Sequence, residues 1–163
     1  MKFDRMTPLV LSLALAGILL AAPAAATTWT YDIVLLPEIW GVYNSVALDA
    51  ADNPRVACAR ADIWQTTAVM YTEKNGGVWS TDTVFTAYPD AGYRPSLALD
   101  ASGNPHISFA VVDFGTFEKT LYYATRNGGV WSNQVVDGSL DADRWSSLAL
   151  DSAGNPHIAY INS

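Results

Sequence analysis

The phrase Ser96-Leu97-Ala98-Leu99-Asp100-Ala101-Ser102-Gly103-Asn104-Pro105-His106-Ile107 returns 51 residues later as Ser147-Leu148-Ala149-Leu150-Asp151-Ser152-Ala153-Gly154-Asn155-Pro156-His157-Ile158. A more divergent copy, Ser45-Val46-Ala47-Leu48-Asp49-Ala50-Ala51-Asp52-Asn53-Pro54-Arg55-Val56, stands 51 residues before the first. A fixed period of this length marks an array of one supersecondary unit, in which each copy buries its apolar face on its neighbour. A second landmark agrees. Tyr71 to Ser80 answers Tyr123 to Ser132, each ending in Asn-Gly-Gly-Val-Trp-Ser, 52 residues apart. The single-residue change in spacing falls in connections, where insertions are tolerated.

Each unit reads as four short strands, and no segment carries a capped helical period. Strand one is Ser96 to Asp100, where Leu97 and Leu99 alternate with Ala98. The Asp-x-x-Gly-Asn-Pro stretch is a dense turn cluster. Strand two runs from His106 to Val112, with Ile107, Phe109 and Val111 alternating against His106, Ser108 and Ala110. Strand three covers Thr120 to Thr125, Asn127-Gly128 supplies a tight hairpin, and strand four covers Val130 to Val136. Four antiparallel strands per unit predict an all-β chain of the β-propeller type. The expected domain, 27–163, divides into a lone fourth strand at 29–35, blades at 45–88 and 96–137, and half a blade at 147–163. Small residues at Ala57, Ser108 and Ala159 suit close stacking of sheets, and Tyr71, Trp79, Tyr123 and Trp131 supply apolar area between them.

Residues 1–26 read as a signal peptide. Lys2 and Arg5 give a basic start, Leu9 to Leu20 an apolar run, and Ala24-Ala25-Ala26 a small-residue cleavage site. The chain is therefore expected to be secreted, periplasmic or at a cell surface, with no membrane anchor after cleavage. The formal net charge is −7, which argues against nucleic acid as a partner. Cys58 is the only cysteine, so no internal disulfide forms. It fills the repeat position of Phe109 and Tyr160 and reads as a packing residue.

These features resemble the secreted bacterial propeller repeats grouped with sialidase-type, Asp-box (BNR-like) proteins. Thr125-Arg126-Asn127-Gly128-Gly129-Val130-Trp131 occupies the turn of the family's box, one residue short and with Asn in place of Asp. Glu73-Lys74-Asn75-Gly76-Gly77-Val78-Trp79 departs further. The resemblance implies a propeller over about residues 29–163. The box is a fold signature, so the likeness leaves activity open.

The repeated polar residues read as structural. His106, His157 and Arg55 share one slot, and a metal centre needs several ligands converging at once; a histidine bonded to a turn carbonyl explains the slot better. Asp49, Asp100 and Asp151, with Asn53, Asn104 and Asn155, read as carboxylates and amides holding their own turns rather than as a calcium site. No metal or cofactor is expected. Glycoside hydrolysis needs two facing carboxylates, and Glu38, Asp62, Asp90, Asp113, Glu118, Asp141 and Asp143 form no recognisable catalytic motif.

Recognition is expected instead in the loop before strand one, which varies between units. Two residues before each phrase stand Tyr43, Arg94 and Trp145, with Trp40 nearby. Aromatic and arginine side chains there suit sugar stacking and hydroxyl hydrogen bonds. The leading reading is an exported, non-enzymatic repeat module that binds glycan or protein. The alternative is a piece of a sialidase-like glycoside hydrolase. Trp29 to Ser163 holds fewer than three units, whereas single-chain propellers use four to eight blades. Either the chain is part of a longer protein or copies of it complete one ring.

Overall fold

The computed structural model describes residues 40–61, 66–86, 93–113, 115–140 and 142–162. Ten strands follow in order: β1 (Trp40–Leu48), β2 (Pro54–Ala61), β3 (Thr66–Asn75), β4 (Val78–Thr86), β5 (Tyr93–Leu99), β6 (Pro105–Val112), β7 (Lys119–Asn127), β8 (Val130–Leu140), β9 (Ala142–Leu150) and β10 (Pro156–Asn162). They form two four-stranded antiparallel sheets, β1-β2-β3-β4 and β5-β6-β7-β8, and a β9-β10 pair. Register repeats with sequence: Val46 faces Val56, Leu97 faces Ile107, and Leu148 faces Ile158. Among the described residues no helix is long and apolar enough to cross a membrane. The expected strand at 29–35 and the cleavage site lie outside the described residues.

Alternation along each strand decides which sheet it meets. Leu97, Ile107 and Phe109 pack with Ala57, Val69, Tyr71 and Val84 of the first sheet, and Leu99 and Ala47 border that cluster. On the opposite face of β6, Ala110 and Val112 are buried, and the Ser108 hydroxyl bonds that of Ser146 in β9 at 2.9 Å. The middle sheet is thus covered on both faces, which is why every residue of β6 but Val111 is buried. Along the second strand of each sheet, large side chains such as Ile107 and Phe109 face the preceding sheet and small ones such as Ala57 and Ser108 face the next. Ala57 and Ser108 are wholly buried in this way, whereas Ala159 is exposed. Complete burial of Phe109 contributes about 1.5–3 kcal/mol.

The serine that opens each phrase is a clamp between units. Ser45 Oγ accepts the Leu97 backbone N–H at 3.0 Å, and Ser96 Oγ accepts that of Leu148 at 3.0 Å. Ionic contacts cross the same interface. Arg126 of β7 bonds Asp82 of β4 and, at 3.1 Å, Glu73 of β3. Its guanidinium lies 5.2 Å from the Tyr71 ring and 5.8 Å from the Trp131 ring. Trp131 meets Tyr71 edge-on at 5.4 Å, while its counterpart Trp79 lies under the Lys74 ammonium at 5.6 Å.

Three expectations about strand limits change. The first strand of each unit begins well before the serine, at Trp40, Tyr93 and Ala142, because it continues through an irregularity in register. Strand four extends to Leu140 in the middle sheet. The hairpin turn is Gly128-Gly129 rather than Asn127-Gly128: Asn127 pairs with Val130, and the two glycines carry φ of 58° and 82°. Two successive positive φ values are what a two-residue turn between right-twisted strands requires.

Candidate functional site

The Asp-x-x-Gly-Asn-Pro turns are built by their own side chains. Asp100 Oδ1 accepts the backbone N–H groups of Ser102 and Asn104, each at 2.8 Å, and Oδ2 accepts the Asn104 side-chain amide at 2.8 Å. Asp151 repeats the set with Ala153 and Asn155, and Asp49 with Ala51 and Asn53. Gly103 and Gly154 take the left-handed position of the turn at φ of 80° and 82°. Asp52 fills it at 60° in the divergent copy, a place that aspartate tolerates better than bulky residues.

The basic slot pairs with the turn aspartate in every unit. Arg55 lies 2.7 Å from Asp49 and 2.7 Å from Glu73. His106 Nε2 lies 3.8 Å from Asp100, and His157 Nε2 lies 3.5 Å from Asp151. The expected bond from histidine to a turn carbonyl is replaced by this contact with the carboxylate. His106 Nδ1 also bonds the buried Tyr123 hydroxyl, because Thr125 faces His106 where Glu73 faces Arg55. Hydrogen bonds to the ionised form hold these carboxyls low. The Asn53 backbone N–H and then Arg55 take Asp49 far below the usual carboxylate range. Asn155 brings Asp151 to about 2. Burial works against ionisation of Asp100, and the Asn104 bonds outweigh it.

Clefts of about 330 Å³ and 350 Å³ lie between successive turns, the first lined by Leu48, Asp49, Arg55, Leu99 and Asp100, the second by Asp100, Leu150 and Asp151. Their carboxylates are already engaged by their own turns. Among the described residues no group of three or more His, Cys, Asp and Glu could hold a metal ion. Cys58 is free and buried, and burial raises its thiol pKa. The Asp113 carboxylate closes its own loop onto the Gly115 backbone N–H. Glu38, Asp62, Asp90 and Asp141 lie outside the described residues, as does the side chain of Asp143.

The three positions two residues before each phrase come together. Arg94 lies between Tyr43 and Trp145, its guanidinium carbon 4.9 Å from the tyrosine ring and 3.2 Å from the indole. These residues stand in the strands, not in a preceding loop, and the strand irregularity brings them there. Pairing of β1 with β2 shifts between Val42 and Ser45, that of β5 with β6 between Tyr93 and Ser96, and that of β9 with β10 between Tyr160 and Asn162. Trp40 opens β1, and its side chain lies outside the described residues.

This stack is held at a cost. Tyr43 and Arg94 have φ of 54° and 49°, a left-handed backbone that costs a side-chain-bearing residue about 1–2 kcal/mol. Each exposed cation–π contact returns about 0.5–1 kcal/mol. Two such residues cost about 2–4 kcal/mol and the two contacts return about 1–2 kcal/mol, so the stacking alone does not repay the backbone strain. The rings remain open to solvent, Tyr43 at 38% and Trp145 at 53%. Among the described residues, no carboxylate forms an ion pair with Arg94, whose contacts are the two rings.

The sequence did not disclose the serine clamps, the Arg126 network or the His106–Tyr123 bond. The clamp had a signal, since the serine opens all three copies of the phrase. The other two arise from cross-strand register, which a repeat alone does not specify.

No protein-family model matches the chain, and no curated protein matches it. Solved structures do. One, a fucose lectin from Kordia zhangzhouensis in complex with methyl-fucoside, has a TM-score of 0.50 at 15% identity, covering 73% of this chain and 82% of that one. At this identity the likeness concerns the fold.

Proposed function

We propose that this chain is a secreted, non-enzymatic propeller-repeat module that binds glycan through Tyr43, Arg94 and Trp145. The observation that carries the reading is the stack itself. Bulky residues in left-handed backbone persist where the surrounding structure imposes them, and such strain gathers at binding sites. Here it places the Arg94 guanidinium against the exposed Tyr43 ring and the exposed Trp145 ring. An aromatic face suits the apolar face of a pyranose, and guanidinium N–H groups suit its hydroxyl oxygens.

The shared fold with a lectin complexed with methyl-fucoside makes a fucoside the first ligand to try. The repeat of sheet upon sheet supports the propeller reading, and the basic start, apolar run and small-residue site at 1–26 support export. The Asp-box likeness remains part of the proposal as a fold signature.

A glycan array that includes fucosides, probed with the wild-type chain and with the Tyr43→Ala/Trp145→Ala variant, tests the reading. The expected result is a defined set of bound glycans whose signal falls at least tenfold in the variant. Undiminished binding by the variant would refute the site, and no glycan bound by folded wild type would refute the function.

A further inference from the structure

Arg94 is treated differently from the arginines that hold the sheets together. Arg55 pairs with Asp49 and Glu73, each at 2.7 Å, and Arg126 pairs with Asp82 and, at 3.1 Å, with Glu73. Arg94 lies against two rings instead, and among the described residues no carboxylate pairs with it. The chain has 16 Asp and Glu against 9 Lys and Arg, so a shortage of carboxylates does not explain the difference. Arg94 stands in β5, and its rings come from the neighbours on either side, Tyr43 in β1 and Trp145 in β9. Both flanks of this arginine are thus supplied by the chain itself.

The stacking fixes how the guanidinium is turned. Its central carbon lies 3.2 Å from the centre of the Trp145 ring, inside the separation of about 3.5–4.0 Å that carbon atoms prefer. At that distance a guanidinium tilted away from parallel would press a nitrogen into the indole, so its plane lies along the ring. The N–H bonds of arginine all lie in that plane. The indole therefore meets the positive charge through its face and takes up none of the donors, which leave the fork edgewise. A parallel pair of such N–H groups matches two oxygens of a carboxylate or sulfate, adding geometric fit to charge. A lone hydroxyl engages the same fork at one point only.

We propose that the glycan bound here is acidic, and that a carboxylate or sulfate group on the sugar accepts a pair of N–H groups from Arg94. The inference rests on the reading of the stack as a glycan site and adds the chemical class of its ligand. Tyr43 and Trp145 then have two tasks, holding the fork by its faces and meeting the carbon skeleton of the sugar with their exposed surface. The net charge of −7 opposes an anion at long range. Physiological salt screens exposed charges beyond about 8 Å, so the contact is decided by Arg94 itself.

A glycan array printed with matched pairs tests this: neutral pyranosides, fucosides included, beside the same sugars bearing a carboxylate or a sulfate. Wild type is expected to bind acidic members at least tenfold more strongly than their neutral counterparts, and the carboxylate and sulfate sets show which acid is taken. The preference should shrink as salt rises from about 0.05 M to about 0.5 M. Arg94→Gln should abolish it, and Arg94→Lys, which keeps the charge without the fork, should retain only part. Neutral sugars bound as strongly as acidic ones would overturn the proposal and leave the glycan reading standing. No sugar bound by folded wild type would overturn both. An acid preference that persists in Arg94→Gln with a native near-ultraviolet circular dichroism spectrum also overturns it. Where that variant loses the spectrum, the salt dependence of wild type decides, and a preference unmoved by salt overturns the contact.

Discussion

Replacing Asp100 by alanine removes the acceptor for three hydrogen bonds, two from backbone N–H groups and one from the Asn104 amide, each at 2.8 Å. Bonds to a charged acceptor contribute about 1.5–3 kcal/mol each when shielded. One of these is exposed and two are part-buried, so water recovers much of the loss. The closest measured analogue is an aspartate capping a helix, worth about 0.5–2 kcal/mol. With the Asn104 amide also orphaned, Asp100→Ala should cost about 2 kcal/mol. Asp100→Asn keeps one oxygen for the two backbone amides but turns a donor towards the Asn104 amide, and should cost about 1 kcal/mol. Urea unfolding resolves the difference as a shift in midpoint at constant slope. Glycan binding by the folded variants should be unchanged. A loss below about 0.5 kcal/mol for alanine, or lost binding with undiminished stability, would refute the assignment of this phrase to structure.

Removing a clamp by Ser96→Ala leaves the Leu148 N–H without its acceptor and should lower stability by about 1 kcal/mol, read by the same unfolding assay. Acid should act through the turn aspartates. Asp49, Asp100 and Asp151 are all held below their ordinary value of 3.8. Their contribution is thus fully present above that value and is lost as pH falls through the folded values, which for Asp151 is about 2. The urea midpoint should decline between about pH 4 and pH 2; a midpoint flat over that range would contradict the turn hydrogen bonds.

The sheet architecture was legible because burial imposes a period of two. Ile107 and Phe109 face one way and Ser108 and Ala110 the other, and the middle sheet buries both faces. The turns were legible too, since Asp, Gly, Asn and Pro each answer a distinct local need. The start of the first strand was not. A strand that continues through a register shift looks like a loop, because Tyr43 and Arg94 break the alternation on either side of it. Equivalent positions did point to Tyr43, Arg94 and Trp145, but their union depends on how far one sheet is displaced from the next. The partner of His106 was beyond reach for a related reason: a threonine facing it, in place of Glu73, frees the ring to bond Tyr123.

The claim that glycan binds at the stacked rings is tested most directly by following the tryptophan indole N–H signals by NMR during titration with a glycan bound on the array. The account predicts that the Trp145 signal moves saturably while those of Trp79 and Trp131, which stand in the fourth strands of the two four-stranded sheets, stay in place. A stationary Trp145 signal beside a saturable shift at Trp79 or Trp131 would contradict it.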